Sequence, residues 1–168
     1  LALLLLLPGS ALAQLRAKLL LVHVREDDIG VAVREMPHDG KAHPVCGPGH
    51  HGEYDDEHMD LIRPGNFEDD WDQLKDADWV FEAVIEDLEI KKQLFSKVAE
   101  AVPPHAIVTS NTSGLGIASM GADLPKELRK RFFGTHFFNP PRYLKLLETI
   151  PGPDTDLELM ADVERFLD

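Results

Sequence analysis

The chain predicts an α/β fold built on an open, mainly parallel sheet, and three observations carry that expectation. From about residue 78 onward, compact apolar runs of strand type alternate with helical segments. Polar groups in Ser110-Asn111-Thr112-Ser113, Thr135-His136 and Glu148 fall at the ends of successive apolar runs, where such a sheet gathers its reactive side chains. The one G-x-G-x-x-G match, Gly47-Pro48-Gly49-His50-His51-Gly52, carries a proline and follows no clear strand, so the sheet is expected to lack the usual glycine-rich first β-α unit of a doubly wound domain.

The elements follow in order. Leu1 to Leu7, with Pro8-Gly9-Ser10-Ala11-Leu12-Ala13 behind it, looks like the apolar stretch and small-x-small cleavage site of a secretory signal, and is too short to span a bilayer as a helix. No initiating Met and no basic segment precede the leucines, so a fragment boundary or a region read out of register are the alternatives. In the lead, only Ala17–Val24 reads as a strand. Residues 25 to 60 hold eight glycines and prolines and no sustained period, and most of that stretch is expected to be loop. Residues 1 to 60 are therefore an atypical, weakly ordered lead, and 61 to 168 the ordered domain.

Pro64-Gly65-Asn66-Phe67-Glu68-Asp69-Asp70 predicts a turn leading into a short amphipathic stretch. Asp78–Val84 is a strand. Asp87–Val102 places Leu88, Leu94, Phe95, Val98, Ala101 and Val102 on one side of a helix, with acids in its first turn and Pro103-Pro104 beyond its end. Ala106–Ser110 is the next strand, Leu115–Ala122 a short helix, Phe132–Phe138 a third strand, Leu144–Ile150 a fourth apolar run and Thr155–Asp168 a final helix. In the usual doubly wound order the strand at 78–84 lies beside a first strand. With that first β-α unit missing, Ala17–Val24 is the candidate to pair parallel to it and cover its edge.

Composition excludes several functions. With 43% hydrophobic and 28% charged residues, the chain is that of an ordinary soluble protein with one core. Its formal charge of −13 is concentrated between residues 51 and 100, which hold 16 acidic and 5 basic side chains, so nucleic acid and anionic membrane are not expected partners. Cys46 is the lone cysteine, which excludes an intrachain disulfide and favours a reducing, cytoplasmic compartment. His38, His43, Cys46, His50, His51 and His58 are of metal-ligand type, but their spacings match no closed four-ligand pattern and no metal site is expected.

His136 follows Ser113 by 23 residues and precedes Glu148 by 12. An imidazole at a strand end is a candidate general base for an alcohol, a carboxylate on its other nitrogen would fix its tautomer, and a serine would hydrogen-bond the reacting oxygen. Each has an ordinary reading too. A His and a Glu on adjacent strands are commonly a structural pair, and Asn-Thr-Ser is commonly a helix cap. Asn111-Thr112-Ser113 also fits the short N-x-[ST] glycosylation pattern, which needs a secreted context.

Five words occur in a fixed order: Asp78-x-Val80-x-Glu82-Ala83-Val84-x-Glu86, then Lys91, Ser110-Asn111-Thr112-Ser113, Gly134-x-His136-Phe137-Phe138-Asn139-Pro140, and Leu146-x-Glu148-x-Ile150. Together they resemble the NAD-binding domain of the 3-hydroxyacyl-CoA dehydrogenases over roughly residues 61 to 168, and Pro140-Pro141-Arg142-Tyr143-Leu144 is similar to the long bacterial members fused to an enoyl-CoA hydratase. The resemblance implies a partial Rossmann-type, doubly wound domain that uses NAD to oxidise L-3-hydroxyacyl-CoA to 3-ketoacyl-CoA in fatty acid β-oxidation. It implies His136 as catalytic base, Glu148 as its partner and Ser113 as a contact of substrate and cofactor. Glu86, Lys91 and Asn139 match positions that contact NAD. Gly114 stands where many members have a second Ser.

The resemblance also implies an acyl-CoA substrate and, in the full-length protein, a C-terminal helical domain that supplies a further active-site Asn and the dimer contact. Without that domain and the glycine turn, the chain alone is expected to be inactive. The rival reading is a noncatalytic remnant kept for binding or assembly, and a third, favoured only by the leucines and histidines, is a secreted metal-binding protein.

Overall fold

A computed structural model describes residues 18–25, 28–35, 62–138, 144 and 146–167. The leucine run, the histidines and cysteine between 38 and 58, Asn139 and residues 140–143 lie outside the described residues. Seven strands form one sheet: β1 Lys18–Arg25, β2 Asp28–Glu35, β3 Ile62–Asn66, β4 Trp79–Ala83, β5 Ile107–Ser110, β6 Phe132–Phe137 and β7 Leu147–Pro151. Their spatial order is β3-β2-β1-β4-β5-β6-β7. Strands β1, β4, β5 and β6 run parallel to their neighbours in that block, while β2, β3 and β7 attach antiparallel at its flanks.

The expected pairing of Ala17–Val24 is found, with Leu19 opposite Trp79 and His23 opposite Ala83 in parallel register. Two expectations are corrected. Ala17–Val24 is not the only strand of the lead, because Asp28–Glu35 is a strand paired residue for residue with β1 from Lys18↔Glu35 to Arg25↔Asp28. Its alternating Ile29, Val31 and Val33 suit a pleated strand, but the run is too short to stand out among the glycines and prolines around it. Pro64-Gly65-Asn66 is likewise not the turn but part of β3. It lies at the outer edge of the sheet, where a missing N–H does not interrupt a ladder. The turn comes one step later and Asn66 builds it, its Oδ1 accepting the N–H groups of Glu68 at 2.8 Å and Asp69 at 2.9 Å. A 3-10 turn, Trp71–Asp76, then leads into β4.

The right-hand connections need helices because parallel neighbours must be joined across the sheet. Helix α1, Leu88–Ala101, opens on Asp87, whose carboxylate accepts the Ile90 N–H at 3.0 Å. It buries Phe95 and Val98 against Val80, Val108 and Phe132, with the Phe95 and Phe132 rings edge to face at 4.8 Å. The short helices α2, Ile117–Gly121, and α3, Lys126–Arg129, complete that face. The other face carries a smaller core of Trp79, Phe133 and Val163, closed by α4, Leu157–Leu167, where Trp79 meets Phe166. Gly121 is required for packing: a Cβ there would stand 2.9 Å from Phe132 Cδ1.

Candidate active site

Because β4, β5 and β6 are parallel, their carboxyl ends share one edge of the sheet, and β7, running back, begins at that same edge. His136 is the penultimate residue of β6 and is registered opposite Glu148, the second residue of β7. Directly opposed residues project to the same face, and here His136 Nδ1 lies 3.0 Å from Glu148 Oε2. A carboxylate can only accept, so this contact puts the imidazole proton on Nδ1 and leaves Nε2 as the ring's acceptor. The His136 side chain is 18% exposed and Glu148 53%. A contact with so exposed a carboxylate adds little stability, and its effect is to orient the ring. Phe138 packs on the imidazole at a centroid distance of 4.8 Å.

The β5–α2 loop is held against both neighbouring strands. Asn111 donates its backbone N–H to Glu82 O at 2.8 Å and accepts the Phe137 N–H on its side-chain oxygen at 2.9 Å, tying the ends of β4, β5 and β6 together. Beside it, Glu86 Oε1 accepts three donors: the Thr112 hydroxyl at 2.5 Å, the Gly114 N–H at 2.8 Å and the Ser113 N–H at 2.9 Å. Partial burial pushes the Glu86 pKa up. The Thr112 hydroxyl, the Gly114 N–H, the charge of Lys91 and the Ser113 N–H together outweigh it and hold the carboxyl below its ordinary value. Thr112 in turn accepts the Leu115 N–H at 3.1 Å, so one buried hydroxyl fixes the loop at both ends.

The two carboxylates of β4 and its following loop converge on one ammonium. Lys91 and Glu82 are each only 1% exposed, with Nζ 2.6 Å from Glu82 Oε1, 3.3 Å from Val84 O and 3.6 Å from Glu86 Oε2. Glu82 also accepts the Ser110 hydroxyl at 2.6 Å and the Val84 N–H at 2.5 Å. His136, Glu148, Ser113, Glu86 and Lys91 thus lie at or beneath one edge, whereas Asn139 falls outside the described residues. Thr112, Ser110 and Glu82 stand in the words quoted from the sequence, but nothing there assigned them a role of their own. The one available signal was an acid inside the apolar run Trp79–Ala83, which demands a buried partner.

The family model described as "3-hydroxyacyl-CoA dehydrogenase, NAD binding domain" matches residues 12–168. The chain belongs to that family. A Bacillus subtilis protein named "Probable 3-hydroxyacyl-CoA dehydrogenase" is 48% identical over 105 residues, which is 62% of this chain and 13% of that protein. A Rickettsia felis protein named "Putative fatty acid oxidation complex trifunctional enzyme" is 37% identical over 134 residues, 80% of this chain and 18% of that protein. The crystal structure of 3-hydroxybutyryl-CoA dehydrogenase from Escherichia coli K12 superposes with a TM-score of 0.52 at 36% identity, covering 57% of this chain and 21% of the other. The chain therefore spans a small part of the length of the relatives it matches. The family is one of oxidoreductases, and its cofactor is NAD. Among the described residues, no helix is long and apolar enough to cross a membrane.

NAD is the group this fold implies, and the edge fits only part of it. In a doubly wound dehydrogenase domain the pyrophosphate rests on amides at the N-terminus of the helix that follows the first strand. In this dehydrogenase-family chain, the strand beside β4 is β1, and it is followed by another strand: β1 ends at Arg25 and β2 begins at Asp28. The chain between and around them reads Arg25-Glu26-Asp27-Asp28, with no glycine and three acids. That connection does not suit a pyrophosphate. The groups on the other side of β4, Glu86, Ser113 and His136, are at the carboxyl edge of the parallel strands, where an open α/β sheet binds its ligands.

Proposed function

We propose that this chain carries the proton-handling half of an L-3-hydroxyacyl-CoA dehydrogenase site, with His136 as the general base oriented by Glu148. The observation that supports it is the Nδ1–Oε2 contact of 3.0 Å at the carboxyl edge of the parallel strands. As the substrate alcohol is oxidised, Nε2 accepts its hydroxyl proton, and Glu148 stabilises the imidazolium that forms. Ser113, on the loop pinned by Glu86, is the proposed hydrogen-bond donor to the reacting oxygen. NAD would supply the hydride acceptor. Glu86 is the proposed cofactor contact on this edge, while Lys91, being buried, acts on a ligand through Glu86. Asn139 completes the proposed set.

In this reading residues 61–168 are the retained part of the NAD-binding domain, and the lead contributes strands that close the sheet. The substrate class is acyl-CoA, the setting is fatty acid β-oxidation in the cytoplasm, and a helical domain, with or without an enoyl-CoA hydratase unit, completes the active protein. The test is a chimera in which residues 78–168 replace the equivalent segment of the Bacillus subtilis relative. It should oxidise 3-hydroxybutyryl-CoA, followed as NADH formation, and His136→Gln in that chimera should cost roughly 10²–10⁴-fold in kcat. A folded chimera whose turnover is indifferent to His136→Gln refutes the assignment.

The hairpin that replaces the glycine turn favours a second reading, a noncatalytic remnant kept for binding or assembly. Calorimetry on the 168-residue chain can exclude the remnant: micromolar NAD affinity would argue against it, whereas absence of binding by the isolated chain is expected under either reading.

A further inference from the structure

Glu82 has no part in the chemistry above, yet its carboxylate is among the most completely satisfied in the described residues. It takes the Lys91 ammonium, the Ser110 hydroxyl and the Val84 N–H, all within 2.6 Å. A buried carboxylate and ammonium are costly to desolvate, and replacing both by apolar groups is often no worse for stability, so the pair itself is weak evidence of a stabilising role. Its geometry is more informative. Lys91 Nζ stands between two carboxylates, in hydrogen-bond contact with Glu82 Oε1 and 3.6 Å from Glu86 Oε2, too far for a hydrogen bond.

Glu86 is divided in the same way. Its Oε1 is saturated by Thr112, Ser113 and Gly114, while its Oε2 accepts no hydrogen bond from the described residues, and the side chain is 42% exposed at the carboxyl edge. The charged groups that face it are Lys91 from α1 and Glu82 from β4; Asp87, its chain neighbour, is turned to cap the Ile90 N–H.

We propose that Glu82 is a positioning residue: by holding the Lys91 ammonium it keeps Lys91 from closing onto Glu86, and so leaves Glu86 Oε2 free to accept a hydrogen bond from a hydroxyl or amide donor of a ligand on this edge. The ligand half of the statement rests on the function proposed above. The restraint on Lys91 does not, and it can be read without NAD or substrate.

The experiment is a carbon-13 NMR titration of the Glu86 carboxyl in the 168-residue chain. In Glu82→Gln the ammonium is released to Glu86, whose titration midpoint should fall by about one pH unit, as an opposite charge moving into contact requires. In Lys91→Met the midpoint should rise. The rise in Lys91→Met follows from loss of the cation alone, so the double variant decides: the fall in Glu82→Gln should vanish in Glu82→Gln/Lys91→Met if it comes from the released ammonium, and a fall that persists there overturns the proposal. An unchanged or raised midpoint in a folded Glu82→Gln chain overturns the proposal. Where that variant does not fold, through-hydrogen-bond coupling in the unaltered chain decides: coupling from Lys91 Nζ to the Glu82 carboxyl carbon is expected, and coupling to Glu86 in its place overturns it. A chimera inactive toward 3-hydroxybutyryl-CoA leaves this result untouched, so the two failures are distinguishable.

Discussion

The two halves of the sheet on either side of β4 solve the same problem in different ways. To the right, β4, β5 and β6 are parallel and joined by crossovers that contain α1, α2 and α3. To the left, β1, β2 and β3 form an antiparallel meander whose first connection is two residues long. A crossover puts a loop and a helix start at the carboxyl edge; a hairpin does not. All the candidate chemistry sits accordingly on the right. The left half closes the sheet against β4 and, among the described residues, supplies no anion-binding helix terminus.

The largest expected effect comes from breaking the left half itself. Val22 lies in mid-β1, opposite both Val31 and Glu82, so Val22→Pro removes a ladder donor from an interior strand. Hydrogen exchange should then show protection lost across β1–β3 and reduced over Val80–Val84, with β5, β6 and α1 still protected. Simultaneous loss everywhere would make the sheet one cooperative unit and end the comparison. In the unaltered chain, protection of β1 should match that of Val80–Val84.

On the right, Phe95→Ala opens the core between α1 and β6 and should cost about 3–5 kcal/mol in urea denaturation. Gly121→Ala drives a methyl against Phe132, at a cost of about 1–3 kcal/mol by the same measurement. A smaller effect is set by pH. Because the Glu86 carboxyl titrates below its ordinary value when folded, its contribution is fully present above the unfolded-state pKa and is lost as the pH falls through the depressed folded value. Amide exchange at Ser113 and Gly114 should therefore quicken below the ordinary carboxylate range, and Glu86→Gln should show fast exchange without that pH step. The smallest effect on stability belongs to the catalytic candidates: Glu148→Gln should change unfolding free energy by no more than ~1 kcal/mol, since the pair is solvent-exposed. In the active chimera the same change should lower kcat, as the ring loses its orienting acceptor.

The sequence alone determined the right half. Its elements are long enough for a period to show: the helix pattern over Asp87–Val102 became Leu88–Ala101, and the apolar runs at 78–84, 106–110 and 132–138 became β4, β5 and β6. The words around His136, Glu148 and Glu86 were legible because they sit at the ends of apolar runs. Tertiary structure decided the rest. That Asp28–Glu35 is a strand depends on β1 being there to pair with it, because five alternating residues have no period long enough to outweigh the glycines and prolines beside them. That Leu147–Pro151 runs antiparallel, bringing Glu148 opposite His136, is a matter of register, which pairing fixes and composition does not. That Glu82 rather than Glu86 holds Lys91 depends on separations of 2.6 and 3.6 Å, since two carboxylates four residues apart read alike until burial and geometry distinguish them.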